Sequence, residues 1–303
     1  MKQSKKITTI TEYHRLRGFG KPSHPLISVV DLEAVPTEHH LTGVLVDFYS
    51  VCIKRSSNMK LKYGQQDYDF DSGVMFFMAP NQVFNLVSST SETPEQSGWL
   101  LLIHPDFFWN TPLAKTIKQY EFFDYSVNEA LFLSEREEKT IHGIIENIRQ
   151  EYHSNMDTFS KQIIVAHIET LLSYSERFYN RQFITREKAN HQILDQLETL
   201  LNDYFNSDDL ISKGLPTVQY VAEQLHVSSS YLGSLLRALT GQNTQQHIHE
   251  KLIAKAKEKL STTDLSISEI AFALGFEHSQ SFSKLFKSKT NISPVGFRRS
   301  FNE

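Results

Sequence analysis

The sequence predicts an α+β chain in two parts: an antiparallel barrel or sandwich first, an all-helical domain second. Three observations carry this. Residues 26 to 103 hold several short runs rich in β-branched and aromatic residues, closed by Pro, Gly or Asn. Residues 134 to 150 and 159 to 179 switch to helical spacing. Beyond about residue 190 one apolar pattern occurs twice, 49 residues apart. A length of 303 residues fits two domains at roughly 150 residues each. Hydrophobic residues make up 40% and charged residues 22%, as in ordinary soluble proteins. The net charge of −4 excludes polyanion binding by bulk charge, so any nucleic-acid surface must be local.

Taken in order, residues 1 to 24 read as a basic N-terminal arm. They lack the apolar h-region of a signal peptide. No apolar run in the chain approaches the ~20 residues of a membrane span. The single cysteine, Cys52, rules out a disulfide within the chain and reads as a small buried apolar residue. A cytoplasmic protein with no membrane partner is the expectation.

Residues 25 to 105 are the sheet domain. "PLISVVDL", "LTGVLVDFYSVCIKR", "GVMFFMAP" and "GWLLLIHP" are its strand candidates. Residues 106 to 185 form a helical segment. Ser134 with Glu137 makes a capping-box pattern for its first helix. In the second, Ile164, His167, Ile168, Leu171, Tyr174 and Phe178 recur at spacings of three and four. This helical hairpin either covers the sheet core or dimerises the chain. Polar His167 and Tyr174 in the stripe favour a partly exposed homodimer face, with Leu171 in it.

Residues 190 to 303 hold the repeat. Val218, Val221, Ala222 and Leu225 define an apolar face of about two turns. Ile267, Ile270, Ala271 and Leu274 repeat it 49 residues on. Each face meets a break, then a second apolar helix: Leu232, Leu235, Leu236 and Leu239 in one copy, Phe282, Leu285 and Phe286 in the other. A short helix, a tight turn and a second short helix make a helix-turn-helix, here at 217–239 and 266–289. Gly275 falls where the turn demands a left-handed residue. Ser266 with Glu269 caps the second copy's first helix. The segment "TQQHIHEKLIAKAKEKL" between the units reads as a spacer helix, able to hold two recognition helices about 34 Å apart for successive major-groove turns.

Charge agrees. Residues 251 to 299 carry nine Lys or Arg against four acids, a local +5 on a −4 chain. Double-stranded DNA is the expected partner. The first recognition helix offers Ser229, Ser230, Gly233 and Ser234, with Arg237 placed for phosphate. The second offers Ser279, Gln280, Ser283 and Lys284, with Lys287 and Lys289 placed for phosphate. Lys suits guanine O6/N7 and Gln suits adenine N6/N7. Most base discrimination is therefore expected from the second helix, while the first positions the protein through the backbone.

Residues 200 to 300 resemble the DNA-binding domain of the AraC/XylS family of bacterial transcription regulators. The resemblance rests on "IAFALGF", then "FSKLFK", then Ser293-Pro294 and Phe297-Arg298. Three departures are visible: His226 where a small turn residue is usual, Lys251 where arginine is usual, and Asn291 where glycine is usual. The resemblance implies a cupin-like antiparallel β-barrel with a helical hairpin in the N-terminal half. It also implies a small-molecule effector, homodimers, RNA polymerase as partner and activation more than repression. It identifies no effector contact. A protein-binding N-terminal domain is the alternative. A metal-dependent cupin enzyme is disfavoured. His39 and His40 are adjacent and would face opposite ways on a strand, His104 ends a strand, and His247 and His249 are two apart on a helix. No metal, cofactor or catalytic residue is expected.

Overall fold

The computed structural model describes residues 5–34, 42–56, 61–63, 66–68, 73–85, 96–126, 129–154, 157–185, 187–207 and 209–302. The chain divides into two units, Met1–Gln182 and Phe183–Glu303.

The first unit contains strands β1 (Lys5–Ile7), β2 (Ile27–Asp31), β3 (Thr42–Val46), β4 (Tyr49–Ser56), β5 (Leu61–Tyr63), β6 (Gln66–Tyr68), β7 (Val74–Met78), β8 (Val83–Asn85), β9 (Gln96–Ile103) and β10 (Leu131–Phe132). Five form an antiparallel sheet in the order β10-β7-β4-β9-β2, with Val29 and Val51 flanking Leu101. A three-stranded sheet, β1-β3-β8, pairs β1 parallel to β3, and β5 and β6 form a separate hairpin. The described strands therefore make three ladders, none of which closes into a barrel. The two larger sheets share one apolar core instead: Val30, Leu100 and Leu102 meet Ile7, Val44 and Val46 around Phe48. The long run 41–55 breaks into β3 and β4 at Asp47-Phe48, where the fully buried Phe48 turns into that core.

The segment read as a basic arm, residues 1–24, corrects the charge-based expectation from residue 5 on. Its apolar residues between the basic ones lock it into the sheet core. Ile7 pairs in β1, and helix α1 (Ile10–Arg17) buries Ile10, Tyr13 and His14. Lys6 meets Asp47 at 2.8 Å. His14 is clamped at both ring nitrogens, 2.5 Å from the Gly20 carbonyl and 2.9 Å from the Ser28 hydroxyl. A carbonyl only accepts, so Nδ1 carries the proton and Nε2 accepts from Ser28. Cys52 is half-buried against the same core, and burial pushes its thiol pKa up. His39 and His40 lie outside the described residues.

After a short helix, α2 (Leu113–Thr116), come α3 (Glu135–His153) and α4 (Ser160–Thr185). The Ser134–Glu137 capping box is formed, at 2.8 and 3.4 Å. Helix α3 lies against β2 and buries Ile141, Ile144, Ile145 and Ile148. In α4 the stripe of Ile164, Ile168, Leu171 and Phe178 is buried within the protomer, Leu171 completely. This corrects the placement of Leu171 on a dimer face. Its neighbours at three- and four-residue spacing point the same way, and the sheet unit has apolar surface to cover. Ile163, exposed beside the stripe, follows exposed Phe159 by one turn.

The second unit is helical: α5 (Glu187–Asn206), α6 (Asp209–Lys213), α7 (Val218–Gln224), α8 (Ser229–Thr240), α9 (Thr244–Thr262), α10 (Ile267–Ala273), α11 (Ser279–Thr290) and α12 (Pro294–Asn302). One core runs through it, joining Leu197 and Leu201 of α5 to Val221, Leu236, Leu252, Ile270 and Phe282. Among the described residues no helix is long and apolar enough to cross a membrane.

Candidate nucleic-acid interface

Each helix-turn-helix is closed by the same backbone device. In the first copy the Val227 N–H donates to the Ala222 carbonyl (3.0 Å) and the His226 N–H to Glu223 (3.1 Å). In the second the Phe276 N–H donates to Ala271 (3.0 Å) and the Gly275 N–H to Phe272 (2.9 Å). This paired pattern is a Schellman cap, which needs a left-handed residue after the helix end. His226 supplies it at φ 57° and Gly275 at φ 80°. A Cβ on Gly275 would lie 2.6 Å from the Leu210 carbonyl and 3.0 Å from Gly214 Cα. His226 tolerates a side chain and is exposed. Ala222 and Ala271, in turn, are fully buried where the helices cross.

Helix α10 starts on the Ser266–Glu269 box, at 2.7 and 3.2 Å, and the two bonds from Ser266 hold the Glu269 carboxyl below its usual range. An Asn243–Gln246 capping box also starts α9, a signal the sequence reading passed over. The 19 residues of α9 span about 28 Å at 1.5 Å per residue. Helices α8 and α11 end on left-handed caps, Gly241 at φ 75° and Asn291 at φ 62°. Asparagine adopts this conformation at little cost, which accounts for that departure from glycine.

The two recognition helices present different surfaces. On α11, Gln280, Lys284, Lys287 and Lys289 are exposed, as is Ser281, which the sequence reading did not single out; Ser279 and Ser283 are half-buried. On α8, Ser229, Ser230, Gly233 and Ser234 are half-buried, and only Arg237 of the expected residues is exposed. The Arg237 guanidinium lies 3.4 Å from the Ser234 hydroxyl. Tyr231 on this helix is buried against Phe183, the rings 5.2 Å apart.

Three of the cations that gave the local charge excess are engaged within the domain. Arg298 donates to the Leu260 carbonyl (3.3 Å) and the Leu265 carbonyl (2.6 Å), closing the end of α9. Lys255 donates to Asn206 (2.9 Å) and pairs with Glu258. Lys257 stands 5.9 Å from the Phe297 ring. Lysine counting could not separate these from Lys284 and Lys287, because Asn206, Phe297 and the Leu260 and Leu265 carbonyls are distant in sequence from the cations they meet. The remaining histidines do not converge: His247 pairs with Thr240 and His249 with Gln245, and His104 caps its own turn at Asp106. Among the described residues no three His, Cys, Asp or Glu side chains gather as a metal site would require.

Residues 221–300 match the family model of a helix-turn-helix domain. The uncharacterized HTH-type transcriptional regulator YfiF of Bacillus subtilis is 30% identical over 144 residues, covering 48% of this chain and 42% of that protein. The HTH-type transcriptional activator RhaS of Salmonella arizonae is 33% identical over 110 residues, covering 36% of this chain and 37% of that protein. The chain thus spans less than half the length of these curated relatives. Among solved structures, the C-terminal domain of AraT, a response regulator from Geobacillus stearothermophilus, is 30% identical with a TM-score of 0.32, over 36% of this chain and 84% of that one.

Proposed function

We propose that the C-terminal domain of this chain belongs to the AraC/XylS family and that the whole chain is a sequence-specific DNA-binding transcription regulator. The observation that carries this is the pair of helix-turn-helix units on one core, each closed by the same Schellman turn and joined by α9. One chain then offers two recognition helices, where a single-unit repressor needs a dimer. We assign the base-reading role chiefly to Gln280, Ser283 and Lys284, with Ser279 beside them and Lys287 and Lys289 on phosphate. Ser229, Ser230, Ser234 and Arg237 serve the second contact.

Activation through RNA polymerase is the finer reading, supported by the activator name of RhaS. Effector sensing and a cupin-like fold are assigned to the N-terminal unit, whose two larger sheets pack on one apolar core. Homodimerisation is assigned to the same unit, where Trp109 and Phe159 stand 72% and 66% exposed. The test is retention of promoter fragments from the source genome, followed by footprinting. Two protected major-groove segments about one helical turn apart support the reading. Uniform retention of all fragments would overturn it.

A further inference from the structure

The two recognition helices come from one duplicated unit and align cap to cap. Helices α8 (Ser229–Thr240) and α11 (Ser279–Thr290) each run 12 residues and end on a left-handed cap, so each α11 position lies 50 residues after its counterpart in α8. The core-facing positions correspond: Leu232 to Phe282 and Leu236 to Phe286, all fully buried. The adjoining flank does not correspond. Tyr231 is 4% exposed where α11 has exposed Ser281. Leu235 is fully buried while Leu285 is half-buried, and Ala238 is half-buried while Ser288 is exposed. Residues three and four apart share one side of a helix. Helix α8 therefore has a second covered side that is more open in its duplicate.

Part of that cover is Phe183, on the last turn of α4 and, like Tyr231, in the second unit. Its ring meets Tyr231 edge to face, with centroids 5.2 Å apart and planes at 74°. In this geometry the positive edge of one ring meets the negative face of the other. Phe183 is itself 2% exposed. Its backbone is also held: the buried Asn190 side chain, in the first turn of α5, donates to the Phe183 carbonyl. Being buried, neither ring can touch DNA. What they can set is the place of the helix axis. That matters more for α8 than for α11. Ser229, Ser230, Gly233 and Ser234 reach little beyond the backbone, so their contacts depend on where the axis lies. Gln280 and Lys284 of α11 have long side chains that can follow a displacement.

We infer that Phe183 and Tyr231 are positioning residues for the first recognition helix. Their packing sets how α8 meets DNA, and α11 does not depend on it. A displacement of the end of α4 then weakens one half of the binding site and spares the other. This rests on the DNA-binding reading above.

The experiment uses the full chain and has two arms. Without DNA, amide hydrogen exchange is followed in α8 and α11. Phe183→Ala should speed exchange in α8 on the order of tenfold and leave α11 unchanged. Phe183→Leu, which keeps the apolar bulk, should restore most of the protection. Circular dichroism checks folding, and Tyr231→Ser, which copies position 281, replaces Phe183→Ala if that variant does not fold. With DNA, a promoter fragment retained by the natural chain is used whole and shortened to omit the segment protected by α8. The segment whose protection fades in Lys284→Ala is that of α11. Phe183→Ala should lower affinity for the whole fragment on the order of tenfold and leave affinity for the short one unchanged. Unchanged exchange in α8, equal acceleration in both helices, no recovery in Phe183→Leu, or equal loss on both fragments overturns the inference. Failure of the natural chain to retain any fragment selectively sinks the DNA-binding reading; selective retention that Phe183→Ala leaves intact sinks only this inference.

Discussion

Position 275 and its counterpart 226 perform the same backbone task with different residues. Both follow the first helix of a helix-turn-helix and both are left-handed. An L side chain there costs roughly 1–2 kcal/mol. At Gly275 the neighbouring backbone adds steric conflict, since Leu210 and Gly214 occupy the space of a Cβ. Gly275→Val should therefore lower the stability of the second unit by more than about 2 kcal/mol and abolish DNA binding. His226→Gly should leave folding intact and raise stability by up to ~1 kcal/mol. Urea denaturation of both variants checks this, and a neutral Gly275→Val would mean the turn tolerates a β-branched residue. His14 offers a pH test. Burial lowers its pKa from 6.5, partly opposed by the bond to Gly20. Below pH 6.5 the unfolded chain takes up a proton that the folded chain resists, so stability must fall as the pH drops below 6.5 and level off below the folded value. His249 shifts in the same direction through burial and Lys289 and adds to the slope. Unfolding at pH 7.5, 6.5 and 5.5 should show a smaller loss for His14→Gln than for the natural chain. Equal losses would show that His14 protonates alike in both states.

The helices show where periodicity suffices and where it does not. The buried faces of α7, α8, α10 and α11 follow directly from spacings of three and four. Helix α4 has equally good spacing, yet periodicity cannot state whether an apolar stripe meets its own sheet or a second protomer. Leu171 is core because the sheet unit has surface to cover. The recognition helices differ in the same way. Gln280 and Lys284 of α11 stand clear, whereas Ser230 and Ser234 of α8 are half-buried. Lys284→Ala and Gln280→Ala should each lose about 1–3 kcal/mol of discrimination at one half of the operator. Ser230→Ala and Ser234→Ala should change base preference by well under 1 kcal/mol. Binding to a set of single-base operator variants measures both. Greater loss in the serine variants would reverse the roles assigned to the two helices.

At the scale of the whole chain, the second unit has its own core and starts at Phe183. Residues 183–303 are expected to fold alone and to bind operator DNA at least tenfold more weakly than the full chain, because linking two copies raises effective concentration. Gel-shift titrations of both forms decide this, and equal affinity would remove the dimer from the proposed function. The sequence by itself determined the duplicated helix-turn-helix, its caps, its turn glycine and the sheet-then-helix order. These are local matters, set by hydrogen bonds and side-chain spacing within a few residues. Tertiary structure alone decided that the basic N-terminal stretch joins the sheet core from residue 5 on, and that Leu171 is internal. It also tied Arg298 to carbonyls more than thirty residues away and set Asp31 and Trp99 beside Glu138 and His142. Each of these joins residues far apart in the chain, and the long-range packing that brings them together leaves no periodic trace in the sequence.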